Sequence, residues 1–99
     1  MNLIITGKQY QRNYENQSNI IYFNLDGNDL EIAMVYINQE NYFIGDKRYI
    51  ELEDFIKNHY DCDFEDFKNY FRYRLYRYSR QRNLKPMPES NLSYIKYKE

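Results

Sequence analysis

Two apolar runs, Asn19 to Leu25 (NIIYFNL) and Leu30 to Ile37 (LEIAMVYI), are separated by a turn centred on Asp26-Gly27. Glycine enters the positive-φ region without a Cβ penalty, and Asp-Gly suits the two-residue type I′ hairpin, so the runs are expected to fold back on each other as antiparallel strands. No other stretch narrows the fold as much, because a hairpin with an apolar face must cover that face with another part of the chain. Both faces of the second run are largely apolar (Leu30, Ile32, Met34 and Tyr36 against Ala33, Val35 and Ile37), which marks a central strand covered on both sides.

The flanking segments extend the sheet. Asn38 to Asn41 (NQEN) reverses the chain into a strand from Tyr42 to Ile44, and Gly45-Asp46 turns it again into a short closing strand from Arg48 to Ile50. Leu3 to Thr6 is expected to add an edge strand, whereas Lys8 to Ser18 reads as a polar connection without a clear period.

After Glu51 the period changes from two to three-and-four. Leu52, Phe55, Ile56 and His59 or Tyr60 define a short helix that opens on the acids Glu51, Glu53 and Asp54, where the helix dipole favours negative charge. A second, longer helix follows Asp63, which serves as N-cap with Asp66 three residues on and with Cys62 and Phe67 in the staple positions. Phe64, Phe67, Phe71, Leu75 and Tyr78 then fall within about 80° of one another at 100° per residue, a stripe that faces a core. The competing strand-like alternation of Phe71, Tyr73 and Leu75 with arginines ends at Tyr76-Arg77. Pro86 and Pro88 stop any helix, leaving residues 84–99 as an extended tail. The expected fold is α+β in a single domain spanning 1–99: an antiparallel β-meander of three to five strands, partly irregular over 1–18, followed by two C-terminal helices, the second longer and basic.

Composition sets outer limits. At 99 residues the chain fits one compact core. Its net charge of −1 creates no global field toward nucleic acid or membrane, so any such attraction must be local. The single cysteine, Cys62, forms no internal disulfide and is too few for a multi-cysteine zinc pattern. No run approaches the ~20 apolar residues of a membrane helix. A reducing cytoplasm is the expected setting, with no cofactor and no membrane partner.

The most informative surface is the helix face opposite the core stripe, which carries Arg72, Tyr73, Tyr76, Arg77 and Arg80 together with Asn69. Thirteen tyrosines and no tryptophan give the chain rings that bury area while keeping a hydroxyl at a wet edge, a composition suited to contact. From Lys68 to Lys85 there are seven cationic side chains and no anionic one, whereas Glu51 to Asp66 holds seven acids against Lys57. Three uses of the basic face follow. It neutralises the acidic helix beside it; it binds single-stranded nucleic acid without sequence preference, arginines on phosphates and rings on bases; or it binds a host or viral protein. Binding of a macromolecule through Arg72, Tyr73, Tyr76, Arg77 and Arg80 is the leading expectation.

Catalysis is the minority alternative. Residues 59–63 (HYDCD) place His59 and Cys62 three apart, but one His and one Cys are too few soft ligands for zinc, so no metal is expected. A metal-dependent or tyrosine-dependent nuclease would need a positioned array that one histidine cannot build. Gly7, Gly27 and Gly45 stand apart and make no phosphate loop. Cys62, between Asp61 and Asp63, has its thiolate disfavoured.

The stretch from Ile20 to Phe67, IIYFNLDGNDLEIAMVYINQENYFIGDKRYIELEDFIKNHYDCDFEDF, together with the overall length, resembles small orphan proteins of filamentous and rod-shaped viruses of hot-spring archaea. That resemblance implies a viral accessory protein acting inside an archaeal host; it carries no functional motif and transfers no site residue. The abundance of Asn and Gln runs against the habit of proteins from hot habitats.

Overall fold

The structure, a computed structural model, describes residues 1–12, 17–38, 40–79 and 95–98. Four strands, β1 (Leu3–Arg12), β2 (Gln17–Leu25), β3 (Asn28–Ile37) and β4 (Glu40–Phe43), precede two helices, α1 (Lys47–His59) and α2 (Phe64–Ser79). The sheet is an antiparallel meander in the order β1-β2-β3-β4, so the α+β class and the element order follow the sequence.

The Asp-Gly turn has the geometry its residues imply, with φ of 49° at Asp26 and 90° at Gly27. The register places Ile21 opposite Ile32, Phe23 opposite Leu30 and Met34 opposite Phe43. Residues directly opposite share a face, so these side chains, with Leu3, Ile5 and Leu25, form one apolar layer. The helices cover it: Leu52 and Ile56 of α1, and Phe64, Phe67, Phe71 and Leu75 of α2, join the same buried cluster. Tyr70 is buried as well, although it lies outside the stripe of Phe64, Phe67, Phe71, Leu75 and Tyr78. On the other face of the sheet Ile20 and Ala33, a directly opposed pair, are buried while Glu31 and Ile37 remain exposed. Coverage of β3 on both sides is therefore confined to its middle.

Three local expectations are corrected. Lys8 to Arg12 is strand and not a polar connection. The register shifts by one residue between Ile5 and Gly7, so the positions on the helix side of the sheet change from odd (Leu3, Ile5) to even (Lys8, Tyr10, both exposed) and hide the alternation. Arg48 to Ile50 belongs to α1 and not to a closing strand, because Asp46 caps the helix: its Oδ1 accepts from Tyr49 N at 3.2 Å. In consequence Glu51, Glu53 and Asp54 lie inside α1, and its first turn contains no acid.

Asp46 also ties the helix start to the sheet, since Arg48 reaches both Asp46 Oδ2 (3.3 Å) and Glu31 Oε2 (3.2 Å). Asp46→Ala is expected to cost about 1 kcal/mol and Asp46→Asn much less, read as denaturant midpoints at unchanged slope. Equal stability of wild type and Asp46→Ala would show that the cap contributes nothing.

The second helix starts as its sequence suggests, with Asp63 Oδ1 accepting from Glu65 N at 2.8 Å and Asp63 O accepting from Phe67 N at 3.0 Å. Of the tail, residues 95–98 dock on the C-terminal end of α1. Lys98 N donates to His59 O at 2.7 Å, and the Met1 ammonium donates to Ile95 O.

Candidate binding groove between β4 and α2

The apolar stripe of α2 turns Phe67, Phe71 and Leu75 into the core, so its flanks overhang the two edges of the sheet. Toward β1, the Arg74 guanidinium donates to Leu3 O at 2.8 and 3.3 Å. Toward β4, Arg72 lies over the Phe43 ring, with Cζ 5.4 Å from the centroid, and Nη1 donates to Asn69 Oδ1 at 3.2 Å.

Beside Arg72, an open groove of about 410 Å3 is walled by Tyr73 and Tyr76 of α2 and by Glu40, Asn41 and Tyr42 of β4. Tyr73 and Tyr76 are 40% and 50% exposed. Tyr42 OH donates to Glu40 Oε2 at 2.6 Å, and that hydrogen bond to the carboxylate, reinforced by its charge, raises the Tyr42 pKa. Two polar atoms in this wall, Arg72 Nε and Asn41 Oδ1, are buried without a hydrogen-bond partner among the described residues. One is a donor and the other an acceptor.

Of the five residues singled out in the sequence, Arg72, Tyr73 and Tyr76 meet in the groove. Arg77 is partly buried and is not among the described lining residues. Arg80 lies outside the described residues. Sequence reasoning missed Glu40, Asn41 and Tyr42, because a polar reversal followed by a short strand shows no sign of lying beside a helix about thirty positions later.

The cations of α2 are less available than their spacing suggests. Lys68 pairs with Glu65 at 2.6 Å and donates to Tyr49 OH at 3.0 Å; these two hydrogen bonds raise its pKa. With Arg74 on a backbone carbonyl and Arg72 over Phe43, three of the helix's basic groups have intramolecular roles. Among the described residues, Glu51 and Glu53 pair with Lys47 and Lys57 of their own helix, and no ion pair joins α1 to α2.

Residues 59–63 are taken up by packing. His59 stacks on Tyr97 at 4.7 Å and 16°, contacts Phe55, and Nδ1–H donates to Lys98 O at 2.9 Å. Burial, followed by Asp66, Asp63 and Asp61, pushes the Cys62 thiol up. Among the described residues no group of three or more His, Cys, Asp and Glu side chains converges as a metal site, and no helix is long and apolar enough to cross a membrane. A second cleft of about 350 Å3, between β3 and α1, has the Arg48–Glu31 pair in its wall.

No protein-family model, no curated protein and no solved structure matches the chain.

Proposed function

We propose that this chain is a non-enzymatic binding protein that engages a protein partner through the β4–α2 groove. The observation that supports this is the meeting, in one open groove of about 410 Å3, of the exposed rings of Tyr73 and Tyr76 with Arg72. Tyr and Arg are also the side chains that most often dominate the energy of protein interfaces.

A protein partner is favoured over nucleic acid by charge. Glu40 balances Arg72 within the groove, and Lys68 and Arg74 are engaged inside the molecule. Phosphate recognition needs unspent cations. In line with the viral resemblance, the partner is a host or viral protein and the chain an accessory protein within an archaeal cell.

The test is a photoreactive benzophenone side chain at Tyr73, with a control at Ile50 of α1, which is 59% exposed. In the expressing cell, an adduct that resists nuclease is expected from position 73 and not from 50, and Tyr76→Ala should reduce it about tenfold or more. Equal adducts from both positions would show that the groove is not the contact. A nuclease-sensitive adduct would favour nucleic acid, whose binding through Arg72, Arg77 and Arg80 carries a log–log salt slope of about −2.

A further inference from the structure

We infer that the occupant of the groove is an extended polypeptide segment of the partner, which adds to β4 as a fifth strand. This rests on the protein-binding role proposed for the groove and specifies the form of its ligand.

The ladder shows which main-chain groups are available. Ile44 N donates to Ala33 O at 3.1 Å, so Ala33 and Ile44 form a hydrogen-bonded pair. Such pairs recur every second residue in an antiparallel ladder, which makes Val35–Tyr42 and Ile37–Glu40 the next ones along the register. Glu40 and Tyr42 thus turn their N–H and C=O groups toward β3, and Asn41 and Phe43 turn theirs outward. β4 is the last strand of the sheet, so this outward row has no neighbour among the described residues.

The two edges are treated differently. On β1, Asn2 O accepts from Asp26 N, which by the same alternation turns Leu3 outward, and the Arg74 guanidinium occupies the Leu3 carbonyl. On β4 the corresponding arginine, Arg72, stacks on Phe43 and bonds Asn69, and among the described residues no side chain is bonded to the strand's outward main chain. Natural edges are blunted by charges, lysine above all, by proline or by a bulge, and of these Glu40-Asn41-Tyr42-Phe43 carries only the Glu40 carboxylate. With that charge and its shortness as safeguards, the four residues still offer the outward groups of Asn41 and Phe43.

The groove suits a strand in particular. Its lining takes Asn41 from the helix-covered face of β4 and Glu40 and Tyr42 from the opposite face, so it follows the edge rather than either face. An added strand alternates its side chains between the same two sides, meeting Tyr73 and Tyr76 on one and Tyr42 on the other. A second copy of this chain is the poorer occupant, because a two-fold axis pairing β4 with β4 would set α2 beside α2 and confront Arg72 with Arg72.

The experiment uses the full chain and a displayed library of random linear peptides about ten residues long as the probe. Selected peptides are expected to protect the amide protons of Asn41 and Phe43 from exchange and to bind Asn41→Pro about tenfold or more weakly. Proline at 41 removes an outward N–H and no ladder bond, and the exchange pattern of β2 and β3 verifies that the variant is folded. Peptides that shift Arg72, Tyr73 and Tyr76 while leaving the two amides unprotected would refute strand addition and retain the groove as a protein-binding site. Selection of no peptide that maps to the groove would refute both. A dimer whose free form already protects Asn41 and Phe43 would replace the partner segment with a second copy.

Discussion

Phe71→Ala is expected to cost about 3–5 kcal/mol, among the largest losses for truncating a described core residue. Phe71 is fully buried at the junction of both layers. Its ring meets Phe23 of β2 edge-on at 5.0 Å and 71°, and lies 5.6 Å from Phe43 of β4 and 6.1 Å from Phe67 of α2. Truncation removes the transfer free energy of the ring and leaves a cavity that strands pinned by ladder bonds cannot close. A domain of this size is stabilised by about 5–15 kcal/mol, so the variant should populate unfolded chains at modest temperature. Phe71→Leu keeps most of the volume and should lose far less. Denaturant unfolding of the three proteins measures this directly; a loss under about 1 kcal/mol for Phe71→Ala would mean that the helix is not seated on the sheet through this ring. The same variant should loosen the groove, since Phe43 also carries Arg72.

Stability should also fall on the alkaline side, and Tyr60 is the main reason. Its ring is buried, and its hydroxyl donates to Asp26 Oδ2 at 2.5 Å. Burial first, and then the hydrogen bond and charge of Asp26, push the phenol above its ordinary value of 10.0. The folded state therefore favours the protonated form. That contribution is complete below pH 10, where the unfolded phenol is protonated too. It is lost as pH rises beyond 10, by about 1.4 kcal/mol per unit for one proton. Cys62, raised from 9.0 by burial, adds a loss of the same sign that begins about one unit lower.

Tyr60→Phe should cost about 1.5–3 kcal/mol at neutral pH, because it removes a hydrogen bond to a carboxylate that also accepts from Asn2 N at 3.0 Å. Above pH 10 the gap between wild type and variant should narrow. Denaturant midpoints of both proteins from pH 7 to 11 decide the matter, and parallel curves would exclude Tyr60 as the alkaline-sensitive group.

The local chemistry of the sequence determined the hairpin, the element order and the seating of α2. Asp26-Gly27 needs only its own φ preferences to turn, and the stripe of Phe64, Phe67, Phe71 and Leu75 needs only helical periodicity to face inward. Asp63 caps α2 through atoms two residues away. Tertiary structure decided everything that depends on which distant groups become neighbours. The extra residue at Thr6 in β1 is defined by pairing with β2, and it reversed the phase of the alternation beyond it. The C-terminal end of α1 received residues 95–98, which showed only a loose alternation of their own. The reading of α2 changed most. Spacing identified an arginine and tyrosine face, yet whether an arginine is available depends on what lies within reach of a long side chain. For Arg74 that is the edge of β1, and for Arg72 it is the ring of Phe43. The groove follows from the same cause. Its β4 wall is about thirty residues away in sequence, and the two come together only because the sheet ends where the flank of α2 begins.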